Sequence, residues 1–227
     1  MKEGHGLVAG LLLAMAPLFP GGSSGAAGQE PPVRTLSREE SRALETWARH
    51  LLADLPEASA SAGEPSFQER ETRRLWALYF LAVDHPRRLD EAREAAEALV
   101  GSGSAPEQRG IVEALAGALE VIRAKHSRWP PNKLKYLDAG ITALDDLVAR
   151  YPDAPGIRYL RLVSCYYLPF FLERDETMAE DFRALSHLLL EGPGVLPGPV
   201  FTAAKEFVME NGGLDAETRK RLQEALE

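Results

Sequence analysis

Apolar residues in this chain recur every three or four positions, and the residues between the recurring runs are those that begin and end helices. Leu134, Leu137, Ile141, Leu144, Leu147 and Tyr151 form one row. Met178, Phe182, Leu185 and Leu189 form another, as do Ile157, Leu160, Ser164, Tyr167 and Phe171, and, more briefly, Val200, Ala204, Phe207 and Val208. Such spacing lays a single stripe along a helix of 3.6 residues per turn, whereas on a strand it would scatter over both faces. Ser37 with Glu40, Ser66 with Glu69, Ser104 with Glu107 and Thr177 with Glu180 all fit the capping box. There the hydroxyl accepts from the amide three residues on, and the acid reaches back. Pro106 falls where a first helical turn needs no N–H. Gly101, Gly192 and Gly212-Gly213 stand where helices should stop. No run alternates strictly between turn residues, so strands have little support. The expectation is an all-α fold with helices over 37–55, 66–84, 88–100, 105–127, 132–151, 154–168, 176–191, 198–211 and 214–226.

Apart from the Ser/Ala/Gly-rich stretch 58–63, the connections are short, which makes successive helices antiparallel neighbours. The run beginning Leu89-Asp90 and ending Leu99-Val100 echoes the run from Leu137-Asp138 to Leu147-Val148, with five of twelve positions identical. Repeated pairs of this kind favour stacked helical hairpins, each burying a face against the next. The segment Leu134–Leu190 resembles a pair of tetratricopeptide-type repeats. The residues that carry the likeness are Gly140 and Leu144 on a second helix, Pro152 after Tyr151, and Ile157-Arg158-Tyr159-Leu160-Arg161 opening the next hairpin. More narrowly, Arg158-Tyr159-Leu160-Arg161, Pro169-Phe170-Phe171-Leu172 and Glu180-Asp181 resemble small, uncharacterised exported bacterial proteins. That likeness spans about a quarter of the chain. It implies a protein-binding α-α superhelix and carries over no catalytic residue.

The N-terminus reads as an export signal. Lys2 and His5 precede an apolar run from Leu7 to Phe19, Pro17 and Pro20 end it, and Ser24-Gly25-Ala26-Ala27 offers small residues for cleavage after Ala27 or Gly28. The run is shorter than the ~20 apolar residues a spanning helix needs. The expected organisation is a signal peptide over 1–28, a linker over 29–36 containing Pro31-Pro32, and a single helical-repeat domain over 37–227. The expected location is periplasmic or secreted, with no integral membrane segment after cleavage. Cys165 is the only cysteine, so no intramolecular disulfide forms, and its apolar surroundings suit a buried thiol. A formal net charge of −8 argues against a broad nucleic-acid surface.

Motifs for catalysis and cofactor binding are lacking. His5, His50, His85, His126 and His187 are isolated from one another, without zinc-ligand spacing. The Gly-x-Ser-x-Gly at 21–25 lies in the leader, with no preceding strand. No phosphate-binding glycine loop or dinucleotide fingerprint occurs in context, so no cofactor is expected. Glu173, Asp175, Glu176, Glu180 and Asp181 admit a paired-carboxylate reading, but helix N-terminal charge explains them more simply.

Two surfaces remain as candidates. Arg123, Lys125, Arg128, Lys133 and Lys135 gather around Trp129, in a stretch without an acid. They offer a docking patch for an anionic partner, but cations complementing the negative end of a helix that stops near 127, with Trp129-Pro130-Pro131 filling a turn, explain them more simply. Core packing between hairpins is the favoured reading of Tyr151, Tyr159, Tyr166, Tyr167, Phe170 and Phe171. Tyr159 and Tyr166, beside rather than on the apolar row, are the rings expected to be exposed if there is a recognition groove. The function expected is a non-catalytic binding or scaffold protein of the bacterial cell envelope, holding another protein or an envelope component. The alternatives are an all-helical glycan-processing enzyme and a structural assembly component.

Overall fold

The computed structural model describes residues 38–54, 66–100, 106–168, 172–194 and 196–224. The expected signal peptide and linker, the capping serines Ser37 and Ser104, and the 58–63 connection lie outside the described residues. The described chain is all-helical: α1 Arg38–Asp54, α2 Phe67–Ala82, α3 Pro86–Val100, α4 Pro106–His126, α5 Pro130–Arg150, α6 Pro155–Tyr166, α7 Asp175–Glu191, α8 Gly198–Asn211 and α9 Ala216–Glu224.

Proline opens more of these helices than the capping box does. Pro86, Pro106, Pro130 and Pro155 are first residues and Pro199 a second, positions where the fixed φ suits the helix and the missing N–H costs nothing. The expected box is present at α2, where Ser66 Oγ accepts from the Glu69 amide at 3.3 Å and the Ser66 amide donates to Glu69 Oε2 at 2.7 Å. The expected box at Thr177 is not formed. α7 begins two residues earlier at Asp175, with Arg174 at its N-cap, and Glu180 is drawn away by an arginine. Gly192, at φ 131°, ends α7 as expected.

Each helix packs on the next, and α2, α4 and α6 also pack on one another in sequence. α4 and α5 run antiparallel, because the contacts descend one helix as they climb the other: Arg123 with Tyr136, Gly117 with Gly140 and Ala143, Glu113 with Arg150. One apolar core extends from Leu75 in α2 to Leu222 in α9. α1 adds a small cluster, Ala48 against Ala77 and Leu81, and touches α8.

The middle of α4 and α5 comes unusually close. A Cβ on Gly140 would lie 2.6 Å from the Gly117 carbonyl oxygen and 3.0 Å from the Val121 amide nitrogen. Only glycine allows the backbones this approach.

The inward stripe of α5 is Lys133, Leu137, Gly140, Ile141, Leu144, Leu147 and Val148. Leu134, which heads the row read from sequence, is half exposed instead. α6 departs further from a stripe, for every residue from Gly156 to Tyr166 is buried. A helix enclosed by α4, α5 and α7 has no solvent face to assign.

Candidate functional site

In the basic turn between α4 and α5, some cations are held by packing and others, among the described residues, are left outward. Lys125 donates from Nζ to the Val83 carbonyl at 2.6 Å and pairs with Asp84 at 3.1 Å. With His126 Nε2 at 2.8 Å from the Ala82 oxygen, it fastens the end of α4 to the end of α2. Arg123 pairs with Glu120 at 3.2 Å, and its guanidinium lies 4.0 Å from the Tyr136 ring centre, a cation–π contact. Lys133 sits on the inward stripe of α5, where burial draws its ammonium below the ordinary lysine value. These three cations therefore leave the expected patch, because packing between helices has taken them.

What remains outward is Arg128, Trp129 and Lys135, with Leu134 beside Lys135 in sequence. Trp129 is 63% exposed and Leu134 50%. Leu134 also lines a groove of about 470 Å³ with Leu137, Ile141, Leu168 and Leu172, and Lys135, Asp138 and Arg174 supply its polar atoms. Leu134 thus joins exposed apolar surface to a concave apolar wall.

The two tyrosines expected to be exposed are both buried. Tyr159 meets Phe207 edge-on, with ring centres 6.3 Å apart. Tyr166 meets the same ring at 4.9 Å, and its hydroxyl donates to Asn211 Oδ1 at 2.6 Å. Burial on all sides of α6 overrides their off-stripe positions. Tyr166 does border a second cavity of about 600 Å³, between α7 and the α8–α9 turn.

Sequence reasoning missed the cluster of charges beneath α6. Asp181 has no exposed surface. Its carboxylate accepts from Arg161 Nε at 2.8 Å, from Arg161 Nη2 at 2.7 Å and from Arg158 Nη1 at 2.9 Å. Arg158 also donates to Glu180 at 2.9 Å and to the Pro152 carbonyl. Arg161 reaches Asp145 of α5 at 3.3 Å, and Arg174 reaches the other Asp145 oxygen at 2.6 Å. Burial opposes the charge of Arg161, but its hydrogen bond to Asp181 and the nearby acids more than offset this, holding its pKa above the ordinary value.

The available signal was two arginines spaced to share a helix face, followed by adjacent acids on the next helix. Cys165 lies close by, buried, with its thiol pushed up by burial against the opposing pull of Arg174. That environment suits packing rather than nucleophilic chemistry.

The acidic run divides in the same way. Asp175 and Glu176 occupy the first turn of α7, where negative charge is favoured, while Glu180 and Asp181 belong to the arginines. No protein-family model, curated protein or solved structure matches this chain. Among the described residues, no three His, Cys, Asp or Glu side chains gather to hold a metal ion, and no helix is long and apolar enough to cross a membrane. The surfaces described offer apolar contact and charge pairing.

Proposed function

We propose that this protein is an exported, non-catalytic binding or scaffold module, a tetratricopeptide-like superhelix of the bacterial cell envelope that holds another protein through the N-terminal edge of α5. One observation carries the reading: Trp129 and Leu134 are large, apolar and exposed, Leu134 opens onto an apolar groove, and Arg128 and Lys135 lie beside them. Tryptophan and arginine are the residue types that dominate binding energy at protein interfaces. Export rests on the leader pattern of residues 1–28, and the superhelix on the packing of each helix against its successor.

Capture from envelope extract tests the reading. The mature chain and a Trp129→Ser/Lys135→Glu variant are used side by side, with bound proteins identified by mass spectrometry. A protein retained by the unsubstituted chain and lost with the variant supports it. Equal capture by both overturns it.

The glycan-processing alternative has one observation in its favour, since Asp175 and Asp215 line the same cavity. Asp215 is nevertheless occupied. Its Oδ1 accepts from the Glu217 and Thr218 amides at 3.0 and 2.9 Å, and its Oδ2 from the Thr218 hydroxyl at 2.7 Å. These bonds hold its carboxyl below the ordinary aspartate value and unsuited to donating a proton.

A further inference from the structure

The cavity between α7 and the α8–α9 turn is lined by an acid at the start of α7, a guanidinium farther along that helix and a second acid, Asp215, on the turn. Asp175, Phe182, Arg183 and His187 all line it from α7. At 1.5 Å of rise per residue, Asp175 lies about 12 Å along the helix axis from Arg183 and about 18 Å from His187. Phe182 is at the middle, with the α8–α9 turn against it. A Cβ on Gly212 would come within 3.1 Å of that ring and 2.6 Å from the Val208 carbonyl, so the turn is held close by backbone packing.

Neighbouring polar groups are already engaged. Tyr166 donates to Asn211, the Asn211 amide donates to the Phe207 carbonyl at 3.0 Å, Ser186 donates to the Arg183 carbonyl at 2.7 Å, and Asp215 caps α9. The side chains of Asp175, Arg183 and His187 form no hydrogen bond or ion pair among the described residues. Along α7 the cavity thus meets an acid first, then a phenyl ring, a guanidinium and an imidazole.

We propose that this trough binds a short extended peptide with free termini, its amino group toward Asp175 and its carboxylate toward Arg183 and His187. Charge selects the class. A simple anion meets Asp175 and Asp215, a simple cation meets Arg183, and a neutral glycan pairs with neither charge. A zwitterion spanning roughly 12–18 Å satisfies both ends, and four or five extended residues at about 3.3 Å each cover that distance. The volume, about 600 Å³, is within the range of small-ligand sites. This inference is independent of the α5 edge, so failure of partner capture there leaves it standing.

The test is an amide-resolved NMR titration of the mature chain with Ala-Leu-Leu-Ala, together with its N-acetylated and C-amidated forms. The free peptide is expected to shift signals around Phe182 and Gly213. Each block should weaken binding about two- to fivefold, the scale of an exposed ion pair. Acetylation should lose its effect in Asp175→Asn and amidation in Arg183→Gln, both surface substitutions that leave the fold intact. No shift at those residues up to about 10 mM peptide, weaker than millimolar affinity, overturns the proposal. So do equal binding of free and blocked peptides, penalties that persist in the variants, or displacement of the same signals by neutral maltotriose but not by peptide.

Discussion

The seam between α4 and α5 and the seam between α6 and α7 join neighbouring helices by opposite means. In the first, Gly117 and Gly140 bring two backbones together, flanked by Val121, Ala143 and Leu144, and the charged contacts are toward the two ends. In the second, two arginines and an aspartate are buried at the interface itself. A seam built on shape is vulnerable to added volume. A seam built on charge is vulnerable to the loss of one partner, because the remaining ion stays buried and uncompensated. The charged seam also fixes one register, since the Asp181 carboxylate meets both arginines only in one alignment of α6 on α7.

The largest expected effect breaks the charged seam. Asp181→Ala should lower the unfolding free energy by about 3–5 kcal/mol, read from urea denaturation. Glu180→Gln, which removes a partner that is 53% exposed, should cost no more than about 1 kcal/mol in the same measurement. Equal losses would mean that burial does not distinguish the two acids.

Next comes the apolar seam. Gly140→Ala places a methyl against backbone on the facing helix, where nothing can rotate away, and should destabilise by about 1–3 kcal/mol. Gly156→Ala meets a side-chain tip instead, Ile111 Cδ1 at 2.7 Å. The better helix propensity of alanine, about 1 kcal/mol, offsets much of that clash, and the midpoint of thermal unfolding should barely move.

The smallest effect is pH-dependent. The hydrogen bond from Arg158, opposed by burial and reinforced by Arg161, holds the Glu180 carboxyl below its ordinary value of 4.5. A carboxyl with a lower pKa folded than unfolded contributes fully above the ordinary range and loses that contribution as pH falls below it. The stability gap between the unsubstituted chain and Glu180→Gln, about 1 kcal/mol at most, should therefore be constant from neutrality to about pH 5 and close in more acid solution. A gap that widens in acid would contradict the pairing.

Helices were legible from local signals, and their facing was legible only in part. The row through Leu137, Ile141, Leu144 and Leu147 appears inward as read, yet its register admits Lys133 and releases Leu134. A lysine stem buries like an aliphatic chain when its position faces a neighbour, and hydropathy alone does not foresee this. Tyr159 and Tyr166 are buried for a different reason. Reading exposure from a stripe assumes one solvent face, and α6 has none. The basic stretch around Trp129 was visible as composition, but which cations stay free depended on Val83, Asp84, Glu120 and Tyr136 arriving from elsewhere in the chain.

By itself the sequence determined the helical class and the approximate helix limits, because these follow from periodicity, proline placement and chain stereochemistry within a few residues. Only the tertiary structure decided that Arg158 and Arg161 point inward to Asp181, that α6 is enclosed, and that Asp175 and Arg183 lie along one trough. Those outcomes depend on which helices meet and in what register. The spacing of Arg158 and Arg161 hints at a shared face, but which acid they meet has no local signature, since each residue alone is equally suited to water.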